Sequence, residues 1–420
     1  MIGAERITGA SFGDFVAEAE RRGRLVVQPR MGFGDLARMR SGLERTRAAD
    51  AVAVGTLTLD SYTRIGDHEA ARRALRDGIE LNGYPIVARP DEETVALLDG
   101  VRDECFPVQV RHGSSRPQDI FRALGRLGLD ATEGGPVSYC LPYSRTPLRE
   151  AVDCWAESME VFAASGSDGV RPHMESFGGC MLGQLCPPGL LVAISLLEGI
   201  FFRQHGIDSV SLSYAQQTDP RQDEEAVLAL RRLAGEYLPD TQWHVVFYAY
   251  MGVYPRTSWG ARRLLEQAAR TAVRAGAARV IVKTEAEAHR IPTIEENVRA
   301  LEVGARASEG VGPRVYDAGD GGVLAEARAL VEAVLDIDRD VGRALPRAFE
   351  LGRLDLPFCL HPDNRGEARG YIDDEGRLRW LTTGNMPIAP SLGTARPARL
   401  TANALLTMLH HVEQRYDRAA

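Results

Sequence analysis

The sequence runs to 420 residues, 44% of them hydrophobic and 26% charged, with a net charge of −8. That balance belongs to a folded globular enzyme, and the absence of any basic run argues against a nucleic-acid partner. The longest apolar stretch, 190–202, carries Ser195 and Glu198 and is too short to span a bilayer. The opening residues lack a signal-peptide layout, so a cytoplasmic location is expected.

Short β-rich runs alternate with amphipathic stretches, the pattern of repeated βα units around a parallel sheet. Strands are expected at 25–29, 51–58, 84–88, 107–112 and 136–141, then at 171–177, 209–214, 244–250 and 279–284. Helices are expected at 69–81, 118–127, 148–164, 188–204, 223–237 and 262–275. Nine runs compete for eight places, and either 84–88 or 171–177 is expected to be irregular. The fold class is therefore α/β: a (β/α)8 TIM-like barrel over 1–305 with a C-terminal α+β extension over 306–420 packed on it. Residues 310–322 read as a glycine-rich loop, since no strand precedes them and no G-K-[ST] follows. A helix over 324–345 and a hairpin turning at Asp374, Glu375 and Gly376 complete the extension.

The six cysteines, at 105, 140, 154, 180, 186 and 359, form no C-x-x-C pair and read as free thiols. The nine histidines include neither H-E-x-x-H nor D-x-H-x-x-G, so no metal site is expected in this chain. Of 50 basic residues 49 are arginine, and the remaining one is Lys283. Where composition has drifted so far toward arginine, a surviving lysine marks a position that a guanidinium does not serve, because the two cations differ in shape and donor count.

Chemistry in such a barrel sits at the C-terminal ends of the strands. Arg30 follows the first run, Arg64 the second, and Arg111 and His112 end the fourth. Glu133, Tyr139 and Tyr143 lie around the fifth, and Lys283 falls at the last, with Glu287 one turn on. Any one of these arginines reads as the partner of a loop carboxylate. Three at one mouth repel each other unless an anion offsets them, and guanidinium forks bind carboxylates through paired hydrogen bonds. A dicarboxylate fits. Glu133 suits a substrate ammonium group or a proton transfer, with the adjacent glycines letting the backbone approach a ligand. Alternation along an extended segment would turn the hydroxyls of Tyr139 and Tyr143 to one side. No nucleophile signature, dinucleotide loop or P-loop is present, so an anion clamp of this kind needs a cofactor for its reactivity.

Seven segments in this order carry a resemblance: QPRMG (28–32), LDSYTR (59–64), LNGYP (81–85), RHGSS (111–115), EGGPVSYCLPY (133–143), MGVYP (251–255) and VIVKTEAEAHRIPT (280–293). They resemble the glutamate mutase (methylaspartate mutase) large, or epsilon, subunit family. Similarity continues more weakly through DLPF and GNMPI. The resemblance implies an isomerase subunit that works with adenosylcobalamin, whose cobalt is ligated by a separate small, sigma-like subunit. It also implies a homodimer of large subunits within a heterotetramer. By the same resemblance, Arg30, Arg64 and Arg111 form a claw on the two carboxylates of glutamate, with His112 beside it. Glu133, Tyr139 and Tyr143 then contact the substrate, and Gly32, Asn82, Pro142, Tyr254, Lys283, Glu287 and Ile291 line the cofactor. The implied reaction takes a hydrogen atom from C4 of glutamate, fragments the radical to a glycyl radical and acrylate, and recombines them as 3-methylaspartate. Val253 departs from a Met-Gly-Gly-aromatic stretch of the family, which keeps a close analogue such as 2-oxoglutarate open as substrate. Two other readings compete: a Schiff-base barrel lyase using Lys283, and a non-catalytic barrel retained as a scaffold.

Overall fold

The computed structural model describes residues 6–167, 169–178, 185–312, 321–388 and 400–418. Eight parallel strands form one sheet: β1 (Val26–Gln28), β2 (Gly55–Thr58), β3 (Val108–Arg111), β4 (Ala131–Glu133), β5 (His173–Glu175), β6 (Ser209–Ala215), β7 (Gln242–Tyr248) and β8 (Arg279–Ile281). Each pairs with the next in sequence from β2 to β8, and β8 pairs with β1. The last gap closes through a parallel bridge from Val27 to Ala53, where Val27 N–H donates to the Val52 carbonyl at 2.9 Å. The sheet is a closed barrel.

Helix α1 (Phe12–Arg21) precedes the first strand. It drives Phe12, Phe15 and Val16 against Val26, Val54, Ala131 and Ala278 and so plugs the N-terminal end. Helix α2 (Leu36–Arg47) follows β1, and the short α3 (Ser61–Ile65) and α4 (His68–Arg76) precede α5 (Asp91–Leu98) after β2. The remaining crossovers are α6 (Gln118–Leu127), α7 (Leu148–Ala164), α8 (Pro188–Gln204), α9 (Pro220–Tyr237), α10 (Ser258–Ala275) and α11 (Ile294–Ser308). Several starts are written in the sequence: Asp219 caps α9 ahead of Pro220, Thr257 caps α10, and Thr293 with Glu296 forms a capping box on α11. Helix α11 packs back on α2, completing the outer ring.

Seven of the nine expected strands are present, including 171–177 as β5, and two are not. At 84–88 only Tyr84 bridges to Leu59, after which Pro85 opens a tight turn that bonds to Ala88 and Arg89. At 136–141 the backbone winds into turns, with Tyr139 N–H on the Gly135 carbonyl and Leu141 N–H on that of Val137, because the buried Glu198 carboxylate captures two of its N–H groups. The vacant place goes to Ala131–Glu133, too short a run to show periodicity. Glu133 is thus the last residue of its own strand.

The extension begins with α12 (Val323–Leu335) and α13 (Val341–Leu351), where a single helix over 324–345 was expected. They separate because the Asp340 carboxylate caps the Arg343 N–H and starts a new helix. Helix α12 lies on α8 and α9, while α13 bridges α7 and α8. The expected hairpin is β9 (Arg369–Ile372) with β10 (Leu378–Thr382), and its turn carries Gly376 at φ +85°. It docks on α9 through a pair of bonds between Gln222 and the Leu378 backbone. Helices α14 (Ala402–Leu409) and α15 (His411–Arg418) follow; α15 packs on α10. Cys105, Cys140, Cys154, Cys186 and Cys359 are free thiols, whereas Cys180 and residues 313–320 of the expected glycine-rich loop lie outside the described residues.

The barrel interior departs from the usual branched apolar filling. Side chains two apart on a strand share a face, and here that face is polar. Gln28 bonds Gln109 at 2.7 Å and Thr56 at 3.0 Å, Gln109 bonds Glu175 at 3.1 Å, and Arg279 pairs with Glu175 and bonds Ser211 at 3.1 Å. This connected layer is the floor of the site above it.

Candidate active site

Beside that floor, at the C-terminal ends of their strands, stand Arg111 on β3, Glu133 on β4 and Tyr248 on β7. Arg111 Nη2 lies 2.8 Å from Glu133 Oε2, and both side chains are almost wholly buried. The Tyr139 hydroxyl donates to Glu133 Oε1, while the Tyr248 hydroxyl sits 3.1 Å from Oε2 and also contacts Glu175. The Arg111 guanidinium lies over the Tyr248 ring at 5.2 Å and near the Phe177 ring at 5.9 Å. Burial opposes its charge, yet Glu133, Tyr248, Tyr139 and Glu175 hold its pKa above the ordinary value. Arg111 Nη1 is buried and finds no partner among the described residues. A buried N–H left unpaired costs free energy, so that atom suits an incoming acceptor.

His112 turns away into an aromatic nest, stacked on Trp155 at 5.7 Å and edge-on to Tyr139 and Phe121. Its Nδ1 accepts the Ser114 N–H at 3.1 Å. Burial first, then the charges of Arg64 and Arg111, push its pKa down to about 3, so it is a neutral imidazole at any working pH. Arg64, exposed in the last turn of α3, lies along Gly113, where an added Cβ would come 3.3 Å from its Cδ. Arg64 and Arg111 therefore flank His112.

The two glycines after Glu133 serve packing rather than ligand approach. A Cβ on Gly134, at φ +127°, would meet Trp155 and Tyr139 at 2.5 Å; one on Gly135 would strike the Glu198 carboxylate at 2.1 Å. Tyr139 and Tyr143 do meet, edge to face at 6.1 Å, but on a wound segment rather than an extended one, and Tyr143 is 40% exposed. Glu198 is a residue that sequence reasoning missed: from α8 it accepts the N–H groups of Val137 and Ser138 and the Ser138 hydroxyl, and so sets the loop bearing Tyr139. Burial lifts its pKa from an ordinary 4.5 to about 7. A raised carboxyl stabilises the fold fully below 4.5 and loses that contribution as pH climbs through about 7, at most roughly 3 kcal/mol. Chemical unfolding at pH 5 and pH 8 should therefore show a drop in wild-type stability that Glu198→Gln flattens.

A second group lies across the rim. Lys283 Nζ is 3.4 Å from Glu287 Oε2 and 4.6 Å above the Tyr254 ring, and Arg30 Nη1 is 4.0 Å from the same Glu287 oxygen and 3.9 Å from Met251 Sδ. The Tyr254 hydroxyl is buried and without a partner among the described residues. Gly32 is tight against the Thr58 carbonyl, where an added Cβ would come within 2.1 Å, so its glycine is required by the β1–β2 crossing. Asn82 accepts the Ser61 N–H at 3.0 Å and fixes the start of α3. Pro142 is half-buried and Ile291 is 64% exposed. The structure thus joins Arg111, His112, Glu133, Tyr139 and Tyr143 in one group and Arg30, Tyr254, Lys283 and Glu287 in another, with Arg64 bordering the first. Both stand at the same C-terminal rim. A cavity of about 520 Å³ opens beside it, lined by Pro142, Tyr143, Phe358, Leu405 and Leu409 among others. No helix among the described residues is long and apolar enough to cross a membrane.

Residues 8–407 match the model of the methylaspartate mutase E chain family. Glutamate mutase epsilon subunits are similar over nearly the whole chain. That of Halobacterium salinarum is 31% identical over 411 residues, covering 93% of this chain and 84% of its own length. Those of Haloarcula marismortui and Yersinia enterocolitica are 30% and 29% identical, covering 93% and 90% of this chain and 82% and 81% of their own. With a match this extensive on a closed parallel barrel, the chain belongs to the methylaspartate mutase E chain family.

Proposed function

We propose that this mutase-family chain is the substrate-binding subunit of an adenosylcobalamin-dependent isomerase that interconverts L-glutamate and 3-methylaspartate in the cytoplasm. The observation that carries the reading is the buried Arg111–Glu133 pair with Arg111 Nη1 unpartnered at the barrel mouth. A substrate carboxylate satisfies that nitrogen, and Arg30 and Arg64 on the rim draw the second carboxylate. Glu133, held by Tyr139 and Tyr248, faces the amino group. Neutral His112 fixes the wall without adding charge.

The rim residues fit the cofactor: the orphaned Tyr254 hydroxyl, the Lys283–Glu287 pair and Arg30 offer polar contacts, while Pro142 and Ile291 offer apolar ones. When bound, adenosylcobalamin supplies the radical reactivity that none of these side chains has. The chain's own part is to hold the substrate rigidly and keep water out. The cobalt ligand comes from a small cobalamin-binding subunit on each half of a homodimer of this chain. A Schiff-base role for Lys283 would require its ammonium to abandon both Glu287 and the Tyr254 face.

The test is to mix the chain with adenosylcobalamin, the small subunit of a glutamate mutase and candidate acids, and to record electron paramagnetic resonance spectra. A signal that appears on adding L-glutamate is expected. A signal with 2-oxoglutarate alone reassigns the substrate, and silence with every dicarboxylate overturns the reading.

A further inference from the structure

Tyr248 stands between two buried carboxylates, and the count of protons there does not close. Its hydroxyl faces Glu133 Oε2 at 3.1 Å and Glu175 Oε1 on its other side, yet it has one proton to give. If that proton goes to Glu175, the Tyr248 oxygen and Glu133 Oε2 meet as two acceptors. If it goes to Glu133, the same conflict moves to Glu175. Neither oxygen can be relieved by water, because Glu133, Glu175 and Tyr248 are all buried.

We propose that Tyr248 is a positioning residue that shares one additional proton between Glu133 and Glu175, with the resting place of that proton on Glu133. In this arrangement Glu133 Oε2–H donates to the Tyr248 oxygen, and Tyr248 O–H donates to Glu175. Every other contact stays satisfied. Glu133 Oε2 still accepts from Arg111 and Oε1 from Tyr139; Glu175 Oε2 accepts from Arg279, Gln109 and Ser211. Glu175 has the fuller set of donors and so holds the negative charge. The charged and titratable neighbours agree. Burial lifts the Glu133 carboxyl, with Arg111 opposing and Glu175 adding to the rise. Burial also acts on Glu175, but Arg279 and Arg111 hold it below the ordinary range. His173 and His244, beside Arg279, are neutral because burial lowers both. Tyr139 and Tyr248 keep their phenolic protons, since burial and the carboxylates raise both.

Moving the extra proton inward takes two concerted transfers, Glu133 to Tyr248 and Tyr248 to Glu175, and leaves Glu133 anionic. An α-ammonium group arriving at the mouth favours this inward transfer by pairing with the anionic Glu133, whereas a 2-oxo acid leaves the proton on Glu133. This consequence rests on the dicarboxylate reading; the proton itself does not.

Infrared difference spectra of the full chain at pH 7 provide the test, without substrate or cofactor. Wild type minus Glu133→Gln should show the carbonyl stretch of one protonated carboxyl. The same difference taken in a Tyr248→Phe background should show a carboxylate instead, with circular dichroism unchanged because the ring contacts are kept. A carboxylate signature for Glu133 in wild type overturns the proposal, as does a protonated band that survives Tyr248→Phe. Should Glu133→Gln fail to fold, Glu133→Asp gives the same comparison, shifting the band rather than removing it. A protonated Glu133 in a chain that isomerises no dicarboxylate would refute the proposed activity and leave the shared proton standing.

Discussion

Arg279→Met is expected to destabilise the fold by about 3–5 kcal/mol, the cost of leaving a buried carboxylate without its cation. Arg279 and Glu175 are both 0% exposed at the centre of the barrel, so no solvent compensates for the loss. The guanidinium also bonds Gln28 and Ser211, which tie β1 and β6 into the same layer. A double variant, Arg279→Met with Glu175→Gln, should recover more than half of the loss, because it removes the stranded charge while sparing the shape. Urea unfolding of the three proteins checks this. Equal stability of Arg279→Met and wild type would mean that the layer is relieved by water.

Arg111→Lys is expected to lower kcat/KM by at least about 10²–10³-fold with the fold intact, in the reconstituted complex. A lysine ammonium reaches Glu133 as a point charge and preserves that pairing, but it has no second nitrogen to present at the position of Nη1. Truncating one partner of a buried, hydrogen-bonded charge pair costs about 2–5 kcal/mol, which brackets that fold-change. Near-normal kcat/KM would remove Arg111 from substrate binding.

The barrel was legible in the sequence because its strands and helices carry different periods. The caps Asp219 and Thr257 lie ahead of the expected starts of α9 and α10, and α11, with its capping box at Thr293, was not among the expected helices. The rim arginines were legible because a strand's end is visible once the strand is. Two strand assignments failed for distinct reasons. Tyr84 belongs to the core and resembles a strand residue, but Pro85 ends the run at once. Residues 136–141 have strand composition, yet a carboxylate from α8, some sixty residues away, winds them into turns. No local pattern announces a capping group that arrives through space. Tyr248 and Glu198 were overlooked because each lies inside a run that reads as apolar packing, and Glu175 because its run mixes polar and apolar residues. A signal did exist. Gln28, Gln109, Ser211, Ser213, His244 and Arg279 all occupy strand positions flanked on both sides by apolar residues, the mark of a polar barrel lumen.

Val412 and Tyr416 of α15 pack on Tyr250, Tyr254 and Leu264, and the Asp417 carboxylate accepts the N–H groups of Arg256 and Thr257. The loop that presents Tyr254 is thus walled by residues translated roughly 160 positions later. During synthesis, the eight strands can close while this wall is still inside the ribosome. The nascent barrel then has its arginines but an unsupported rim, which is completed only after residues 411–418 have emerged and docked.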